Sequence, residues 1–501
     1  MRCLKTAVTW PRSVPSKPVW TRWLWAWTCP SNERDRMSFV SPEFGLLCLL
    51  FFPIYWACAD MPRLQRGLLI VSGYALYATW VPAFAGVLLL YSTVVWALGR
   101  WMAAASKPRL PWVLGLWLAG TFLVTLKYYE WVRETYQALL SPWGFYSLLP
   151  VVDVVAPVGV SFFTFQAITY LVAVGRRTSV ARSWPDVLLF LSFWPTLFAG
   201  PILRAELFFA QIDAGEVGRP RQAWRALYLL ALGVVQKVVL ASWLSTHVVD
   251  AVFKFPEHHS STSIAAALLA YSLQIFFDFA GYTAIVTGLA LLLGYELPLN
   301  FRQPYLARNL ADFWTRWHVS LSSFIRDYIY IPLGGNQHGW CRTQMHVLLA
   351  MLISGIWHGA SWTFVCWGLM HGLGVVGLNV LRSLGMPAWP RFVAQVLTFV
   401  FVSLAWVWFR ADSVAQALQI FEGLLSSSVP AQTDVQAWSV LLGMALALWT
   451  LSPWATTLES AAVRLMRAIG SVGTTLGLFV VLALAIYAGP DGVPSFIYYR
   501  F

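Results

Sequence analysis

Charge is what this chain most lacks. Only 11% of its 501 residues are Asp, Glu, Lys or Arg, whereas soluble globular proteins carry about 25%. An ionisable group at the centre of a bilayer costs about 2.5–3.5 kcal/mol on insertion scales, so a lipid-facing surface holds few of them. Because 58% of the residues are hydrophobic, the composition excludes an ordinary soluble domain and predicts a membrane protein.

The chain also lacks the motifs of several common enzyme classes. It has no Walker loop, no GxSxG turn of serine hydrolases and no HExxH zinc motif. Its six cysteines show no CxxC spacing, and Cys48, Cys58 and Cys366 lie inside apolar runs, where thiols act as small hydrophobes. We therefore expect neither a disulfide framework nor a metal site.

The net charge of +12 comes from Lys and Arg residues scattered through short loops, a distribution that argues against nucleic acid as a partner. Arg63 and Arg66 lie in one loop, and Arg100, Lys107 and Arg109 lie in another. Two apolar segments separate these loops, so both fall on one side of the membrane. The positive-inside rule predicts that this side is the cytoplasm.

The N-terminal region differs from the rest of the chain. Residues 1–36 are basic, rich in Trp and Pro, and lack the apolar core of a signal peptide. Met37 immediately precedes the first long apolar segment. We expect residues 1–36 to be a basic extension that is disordered or lies upstream of the true start, and residues 37–501 to form a single membrane domain.

Apolar runs of roughly 17–25 residues predict an all-α integral membrane protein with about 11 to 13 transmembrane helices. Pro157 and Gly159 in one run, and Pro195, Gly200 and Pro201 in the next, predict broken or re-entrant helices, which are tolerated only where protein or a water-filled cavity covers the freed backbone groups. The candidate runs are 43–59, 67–80, 82–99, 111–126, 154–175, 187–203, 226–245, 264–280, 282–297, 345–357, 361–381, 392–409, 437–455 and 472–488.

One polar stretch, from Leu299 to Arg342, interrupts the apolar pattern. Within it, apolar residues recur at intervals of three and four, which predicts an amphipathic helix. Asn309 is placed to cap that helix. A polar amphipathic helix buried among membrane spans is expected to line a cavity. The apolar positions are Leu310, Phe313, Trp314, Trp317, Leu321, Phe324 and Ile325.

Three histidines stand out in this background. His358 ends the apolar sequence ISGIWH, and an ionisable residue at membrane depth indicates a functional site by default. A lone His is more often explained by a hydrogen bond to a neighbouring helix. However, His318 and His371 are also flanked by Trp or Gly, and the chain has only eight His in total. Since neutral imidazole can accept a hydroxyl proton at pH 7, these residues are candidates for a catalytic base.

At these residues the chain resembles the membrane-bound O-acyltransferases, in the bacterial branch that acetylates alginate and related polysaccharides. The resemblance is densest in DFWTRWHVSLSSFIRDYIYIPLGGN (Asp312–Asn336) and in GIWHG, which ends at Gly359. Further matching blocks spread over most of the chain after Met37. They are LFAGPILR (Leu197–Arg204), FFDFAGY (Phe276–Tyr282), NFRQPY (Asn300–Tyr305) and WVWFRADS (Trp406–Ser413).

The resemblance implies a ring of membrane helices around a central funnel, where a cytosolic acyl-CoA thioester meets an acceptor from the other face. It places the catalytic His of the family at His358 and the second family position at His318. Acyl transfer needs a base and stabilisation of an oxyanion, so His358 is expected to be the base and His318 to orient the acceptor or stabilise charge. Arg316 and Arg326 are candidates for contact with the phosphates of acyl-CoA. Asp327 is a secondary candidate, and these three residues could also set the helix in place. For each of them a buried ion pair between Arg and Asp is at least as good an explanation.

The chain departs from the expected family pattern at two places. Where FDFSGYSDMAIG is expected, it reads FDFAGYTAIVTG, so Ala284 or Ile285 replaces an acid. If that acid contacts the acceptor or a partner, the choice of acceptor is expected to differ. The second WHG-like site reads MHG, which makes His371 a secondary candidate. Asp278 lies in an apolar run and is either a functional acid or a neutral buried hydrogen-bonding group.

The sequence thus predicts a multi-pass protein of the bacterial inner membrane that uses acetyl-CoA, with no tightly bound cofactor, to O-acetylate an exported polysaccharide such as alginate or cellulose. The resemblance implies a periplasmic acetyltransferase partner and a polysaccharide synthase or export complex. Two alternatives remain open. One is transfer of D-alanyl or longer acyl groups to a cell-wall polymer or lipid, and the other is a transporter for polysaccharide or lipid.

Overall fold

The computed structural model describes residues 39–146, 149–152, 155–215, 217–426, 428–430 and 435–489, and all regular structure in these ranges is helical. The predicted extension, residues 1–36, lies outside them. The helices are α1 (Pro42–Ala57), α2 (Pro62–Ala78), α3 (Pro82–Ala104), α4 (Arg109–Leu140), α5 (Val160–Gly175), α6 (Trp184–Ser192), α7 (Trp194–Leu197), α8 (Ala205–Asp213), α9 (Ala223–Lys254), α10 (Ser261–Leu293), α11 (Leu310–Trp314), α12 (Val319–Ile325), α13 (Trp340–His358), α14 (Trp362–Ser383), α15 (Arg391–Arg410), α16 (Val414–Ser426), α17 (Val435–Leu451) and α18 (Ala455–Ala488).

The structure is that of an all-α, multi-pass membrane protein, as predicted. Within the described ranges, seven helical segments are long and apolar enough to cross a bilayer, which by this criterion is fewer than the 11 to 13 expected. Several predicted runs form shorter helices, and others merge into longer ones. The seven segments are Pro82–Ala104, Arg109–Trp143, Ala223–Lys254, Ser261–Leu293, Trp362–Ser383, Arg391–Arg410 and Val435–Ala488.

Helix α10 is the most buried of the long helices. The prediction of separate spans at 264–280 and 282–297 was wrong, because α10 continues through Gly281 without a break. Gly281 faces Gly233 of α9, and a methyl group placed on Gly281 would lie only 2.9 Å from the Gly233 carbonyl oxygen. Small residues allow membrane helices to approach closely. Gly281 therefore serves helix packing rather than a turn.

The residues of the two predicted basic loops lie at the same end of the helical bundle, although most of them belong to helix ends rather than loops: Arg63 and Arg66 to α2, Arg100 to α3 and Arg109 to α4. The segment that connects α5 to α6, together with the start of α6, contacts residues of both regions. Arg177, in this connection, donates to the carbonyl oxygen of Ser106 at 3.5 Å. Asp186, at the start of α6, pairs with Arg66 of α2 at 3.1 Å. These contacts agree with the prediction that both loops occupy one side of the membrane.

The predicted broken helices are confirmed. Helix α5 begins only after Gly159, whose φ of 79° lies in the left-handed region that favours glycine. The next apolar run divides into α6 and the single turn α7, with Phe193 in an extended conformation between them. Residues 187–205 are almost entirely buried, so protein covers the interrupted backbone.

The amphipathic helix predicted after Asn309 needs a correction. Asn309 caps α11 by accepting a hydrogen bond from the Asp312 amide at 2.9 Å, as expected. However, α11 ends at Trp314, and the chain resumes a helical course only in α12. His318 lies between the two helices in the left-handed conformation, with φ of 44° and ψ of 54°. Apolar periodicity does not reveal such a break, because burial continues on the same side of both helices.

Helices α13 and α14 pack at a pair of glycines. A methyl group on Gly368 of α14 would lie 2.7 Å from the Met351 carbonyl oxygen and 3.3 Å from the Gly355 Cα atom of α13. Since the nearest atoms belong to the backbone, neither helix can accommodate a larger residue without moving. This close crossing holds together the two helices that carry His358 and His371.

Replacing Gly368 by alanine is expected to destabilise the folded protein by about 1–3 kcal/mol, because it overpacks this crossing. The matched control is Gly377→Ala in the same helix, where a methyl group would meet no atom within 4 Å. Thermal unfolding in detergent measures both variants. We expect a lower midpoint for Gly368→Ala and an unchanged or higher one for Gly377→Ala. Equal midpoints would contradict this account of the crossing.

Candidate active site

The three histidines that the sequence predicted as site residues lie together in the interior. All are at most 3% exposed. The Trp357 ring contacts both His318 and His358, with centroids 6.0 Å and 4.9 Å away. The Trp367 ring contacts both His358 and His371, at 5.0 Å and 4.8 Å. The fold thus brings residues separated by up to 53 positions into one row of alternating imidazole and indole rings, which we call the histidine row.

His358 is the histidine of the row that borders a cavity. It is the last residue of α13, and its ring also contacts the Phe409 ring of α15, with 5.0 Å between the ring centroids. A cavity of about 200 Å³ lies next to it. The polar side chains of its wall belong to His358, Lys127 and Ser161, and the rest of the wall is formed by residues 156–160, Phe162, Phe198, Trp357 and Ala360. His358 is therefore held by aromatic rings and has access to a space for a small ligand.

Lys127, on the wall of this cavity, was missed by the sequence analysis. It lies on α4, which runs from Arg109 to Leu140, whereas the predicted apolar run ended at residue 126. Its Nζ atom donates to the carbonyl oxygens of Trp357 at 2.6 Å and His358 at 3.2 Å. A lysine next to a long apolar run is itself a signal, since an ionisable residue at membrane depth indicates a functional site. The apolar run ends just before the lysine, but the helix continues past it to Leu140.

His318 is fixed by a polar network. Its Nδ1 atom lies 3.0 Å from the Oδ1 atom of Asn300, which also accepts a hydrogen bond from the Ser320 hydroxyl at 2.9 Å. Because a carbonyl oxygen only accepts, Nδ1 carries a proton in this arrangement. The Phe279 ring meets the imidazole edge to face at 4.7 Å. The left-handed backbone at His318 and this network together set the direction of the ring.

His371, the secondary candidate, lies at the far end of the histidine row. It is fully buried, and neither of its ring nitrogens has a hydrogen-bond partner among the described residues. Its neighbours are aromatic, with the Trp314 ring at 5.0 Å in addition to Trp367. Since Trp367 contacts both His371 and His358, the structure places His371 behind the cavity-lining residue rather than on the cavity wall.

The two arginines predicted to meet acyl-CoA both have carboxylate partners. Arg316 pairs with Asp312 at 2.6 Å, one turn away. Arg326 pairs with Asp327 at 2.6 Å. The contact of Arg316 with Asp312 is the ion pair that the alternative prediction expected. Neither this pair nor that of Arg326 is fully buried.

Asp327 joins Arg326 to a second arginine from a distant part of the chain. The Nη2 atom of Arg204 donates to Asp327 Oδ2 at 2.5 Å, so the carboxylate lies between two guanidinium groups. Partial burial raises the pKa of Asp327, but hydrogen bonds from Arg326 and Arg204 lower it more, so this pKa lies below its usual value. The cluster of Arg204, Asp327 and Arg326, here called the arginine cluster, keeps a net positive charge.

A row of stacked aromatic rings leads from the arginine cluster toward the histidine row. The guanidinium group of Arg204 lies 5.7 Å from the Tyr328 ring centre. Tyr328 stacks on Phe324 at 4.6 Å, and Phe324 stacks on Phe165 at 4.0 Å. Phe165 in turn stacks on Trp357 at 5.5 Å. The arginine cluster and the histidine row are thus connected through continuously packed side chains.

Asp278 lies apart from the cavity wall. Its carboxylate pairs with Lys237 of α9, with 2.5 Å between Oδ1 and Nζ, and the two side chains are only 11% and 3% exposed. Lys237 stands in a π-helical stretch of α9, Val235–Ala241. This ion pair links α9 to α10, which favours a structural role for Asp278.

The two positions that depart from the expected family pattern are packed. Ala284 and Ile285 are 9% and 2% exposed. The Ile285 side chain lies beside Gly233, where a methyl group would come within 2.7 Å of its Cγ1 atom. An acid at position 285 would therefore face the junction of α9 and α10 in this chain.

An all-α bundle with seven candidate spans among the described residues defines a multi-pass membrane protein, and the buried histidine beside a cavity is its candidate reaction site. No group of three or more His, Cys, Asp or Glu that could hold a metal occurs among the described residues. Residues 112–421 match the family model of the membrane-bound O-acyltransferases, and the chain belongs to that family. The matched region includes Lys127, all three histidines of the histidine row and the arginine cluster.

Several curated proteins are similar to this chain over most of its length. A Pseudomonas putida protein named "Probable alginate O-acetylase AlgI" is 33% identical over 400 residues, which are 78% of this chain and 80% of the relative. The peptidoglycan O-acetyltransferase of Helicobacter pylori is 32% identical over 74% of this chain and 76% of its own length. The teichoic acid D-alanyltransferase of Bacillus subtilis is 27% identical over 50% of this chain and 68% of its own length.

Proposed function

We propose that the protein transfers an acetyl group from cytosolic acetyl-CoA to a hydroxyl group that serves an exported polysaccharide, and that it does so in the bacterial inner membrane. The observation that carries this proposal is the position of His358, which is buried in the helical bundle and borders a cavity of about 200 Å³. Relatives named for O-acetylation of alginate or peptidoglycan cover about three quarters of the chain.

The reaction needs a base at the hydroxyl group of the acceptor. In the proposed step, His358 accepts the hydroxyl proton while the oxygen attacks the thioester carbonyl carbon. The tetrahedral oxyanion then collapses, the carbon–sulfur bond breaks, and the imidazolium returns its proton to the departing thiolate of CoA. His318, whose ring direction is fixed by Asn300, orients the acceptor or stabilises the oxyanion.

The arginine cluster is suited to the donor side of this reaction. It carries net positive charge, and Arg326 in it is 64% exposed, so its guanidinium group is available to phosphate groups. The Thr178 side chain, in the connection between α5 and α6, bonds to Glu206 of α8, the helix that begins after Arg204. This places the cluster at the end of the bundle that holds the basic loops. We expect the nucleotide part of acetyl-CoA to bind there.

Nothing in the described residues forms a second, soluble catalytic unit, so delivery of the acetyl group to the polymer through a periplasmic partner fits the chain. Transfer of D-alanyl groups is the second candidate, because the Bacillus subtilis relative covers half of the chain. The O-acetylating relatives cover more of it, which favours acetyl as the acyl group.

Donor use in proteoliposomes tests the proposal directly. The purified protein is supplied with acetyl-CoA labelled in the acetyl group, and release of free CoA and transfer of label to a deacetylated polysaccharide or to periplasmic protein are measured. Parallel reactions contain palmitoyl-CoA or a D-alanyl carrier protein. We expect release of CoA from acetyl-CoA that depends on the acceptor.

Each outcome of that experiment separates the alternatives. Preference for the D-alanyl carrier would replace acetyl by D-alanyl in the proposal. Movement of polysaccharide or lipid across the vesicle membrane, with no use of any acyl donor, would support the transporter and overturn the proposed function.

A further inference from the structure

The carbonyl groups at the C-terminal end of α13 lie in the interior and need hydrogen-bond donors from outside the helix. The last four carbonyl groups of an α-helix have no partner within the helix. Helix α13 ends at His358 in the interior, and Gly359 then leaves the helix in an extended conformation. Buried carbonyl groups that stay unpaired are costly, so partners must come from elsewhere in the fold.

Two consecutive residues of α4 supply these partners. The Tyr128 hydroxyl donates to the Ile356 carbonyl oxygen at 2.9 Å. The Lys127 ammonium group donates to the next two carbonyl oxygens, those of Trp357 and His358, at 2.6 Å and 3.2 Å. Its third contact is the Ser161 hydroxyl of α5 at 3.4 Å. The helix that carries His358 is therefore capped from a neighbouring helix.

The charge of Lys127 is matched to this position. The C-terminal end of a helix carries partial negative charge, which stabilises a cation there. Among the described residues no carboxylate lies within ion-pair distance of Lys127, in contrast to Lys237, which has Asp278. Lys127 is half-buried on a candidate membrane span, where an ionisable group is costly to hold. An apolar residue would avoid that cost but would leave the Trp357 and His358 carbonyl oxygens without this donor, so the lysine serves the end of α13.

We infer that Lys127 is the positioning residue of His358: by capping α13 it holds the imidazole at the edge of the cavity in the geometry that acyl transfer requires. This inference rests on the proposed function. Lys127 acts through His358 and is not assigned contact with the reacting atoms. Tyr128 completes the cap without adding charge, and both residues fix α13 to α4.

The test measures kcat and KM for acetyl-CoA in proteoliposomes, per amount of folded protein from size exclusion. Lys127→Met keeps the length of the side chain but removes both the charge and the donors. A displacement of about 1 Å at a reacting group costs about 10²-fold. We therefore expect Lys127→Met to lower kcat about 10²-fold and to leave KM within about twofold, as for loss of an interaction that matters only in the transition state.

Two further variants separate positioning from folding. Lys127→Arg keeps the charge and the donors, so it is expected to restore kcat to within about tenfold of the wild type. Tyr128→Phe removes one neutral hydrogen bond from the same cap and is expected to lower kcat about fivefold. If Lys127→Met yields no folded protein, the kinetics of Tyr128→Phe test the inference instead. A lower kcat at constant KM supports it, and an unchanged kcat overturns it.

The failure of this inference differs from the failure of the proposed function. Wild-type kcat in folded Lys127→Met, with an inactive His358→Ala variant, would overturn only the role of Lys127. A change confined to KM would also overturn it, because a positioning residue for the base acts on the chemical step. An active His358→Ala variant would instead overturn the proposed function, whatever Lys127→Met does.

Discussion

His358→Ala is expected to lower the rate of acetyl transfer about 10²–10⁴-fold, the range that general acid–base catalysis contributes. The variant removes the only histidine that lines the cavity next to Lys127 and Ser161, as far as the described residues show. Since the imidazole packs against the rings of Trp367 and Phe409, part of its aromatic contact is lost as well. The rate of CoA release from acetyl-CoA, normalised to folded protein, measures the effect.

The matched control for His358→Ala is His247→Ala. His247 lies on α9, is exposed, and stacks on Trp243 of the same helix at 5.1 Å. Its replacement is expected to leave the rate within about twofold of the wild type, since exposed surface changes rarely matter to a distant site. Equal rates for both variants would show that His358 does not act as the base.

The second large effect concerns stability rather than catalysis. Asp278→Ala removes the partner of Lys237 and leaves a buried ammonium group behind. Breaking a buried ion pair by removing one member costs about 3–5 kcal/mol. We therefore expect a large drop in the thermal midpoint of the detergent-solubilised protein, together with a lower yield of folded material.

The double variant Lys237→Met, Asp278→Leu tests whether Asp278 has a chemical role. Replacing a buried ion pair by apolar residues of similar size is often neutral or stabilising. The double variant is thus expected to recover both the thermal midpoint and the kcat of the wild type. A folded double variant with no activity would instead identify Asp278 as a functional acid, the other alternative that the sequence left open.

The sequence was most informative about the histidine row. His318, His358 and His371 were recognisable because each stands beside Trp or Gly in a chain that has few ionisable residues. Their common location follows from packing between distant segments, and the resemblance to a known family anticipated it where periodicity could not. The structure shows that they lie together, and their roles in catalysis stay predictions.

The partners of the charged residues could not be predicted in the same way. Lys127 meets the end of α13 some 230 positions further along the chain, and Arg204 meets Asp327 across 123 positions. Such pairs depend on which helices become neighbours, and no local pattern records that. For the same reason the sequence suggested Arg326 as a phosphate contact but missed Arg204, which shares its carboxylate partner.

The predictions of helix boundaries were wrong where two physical effects compete. Gly281 suggested a break between two spans, but close packing against Gly233 makes a glycine useful inside a continuous helix. Nothing in the sequence around His318 indicated a break in the helix. Its left-handed backbone nevertheless divides the predicted amphipathic helix into α11 and α12. Composition and periodicity report burial well, but they do not report the local backbone conformation of a single residue.

The most direct test of the central claim is the O-acetyl ester content of the exported polysaccharide in cells that carry the wild type, His358→Ala or His318→Ala. Membrane levels of each protein are compared by immunoblot. The account predicts ester on the polymer with the wild type, none with His358→Ala at a normal protein level, and a reduced amount with His318→Ala. Normal acetylation in cells that contain only the His358→Ala protein would contradict the assignment of His358 as the catalytic base.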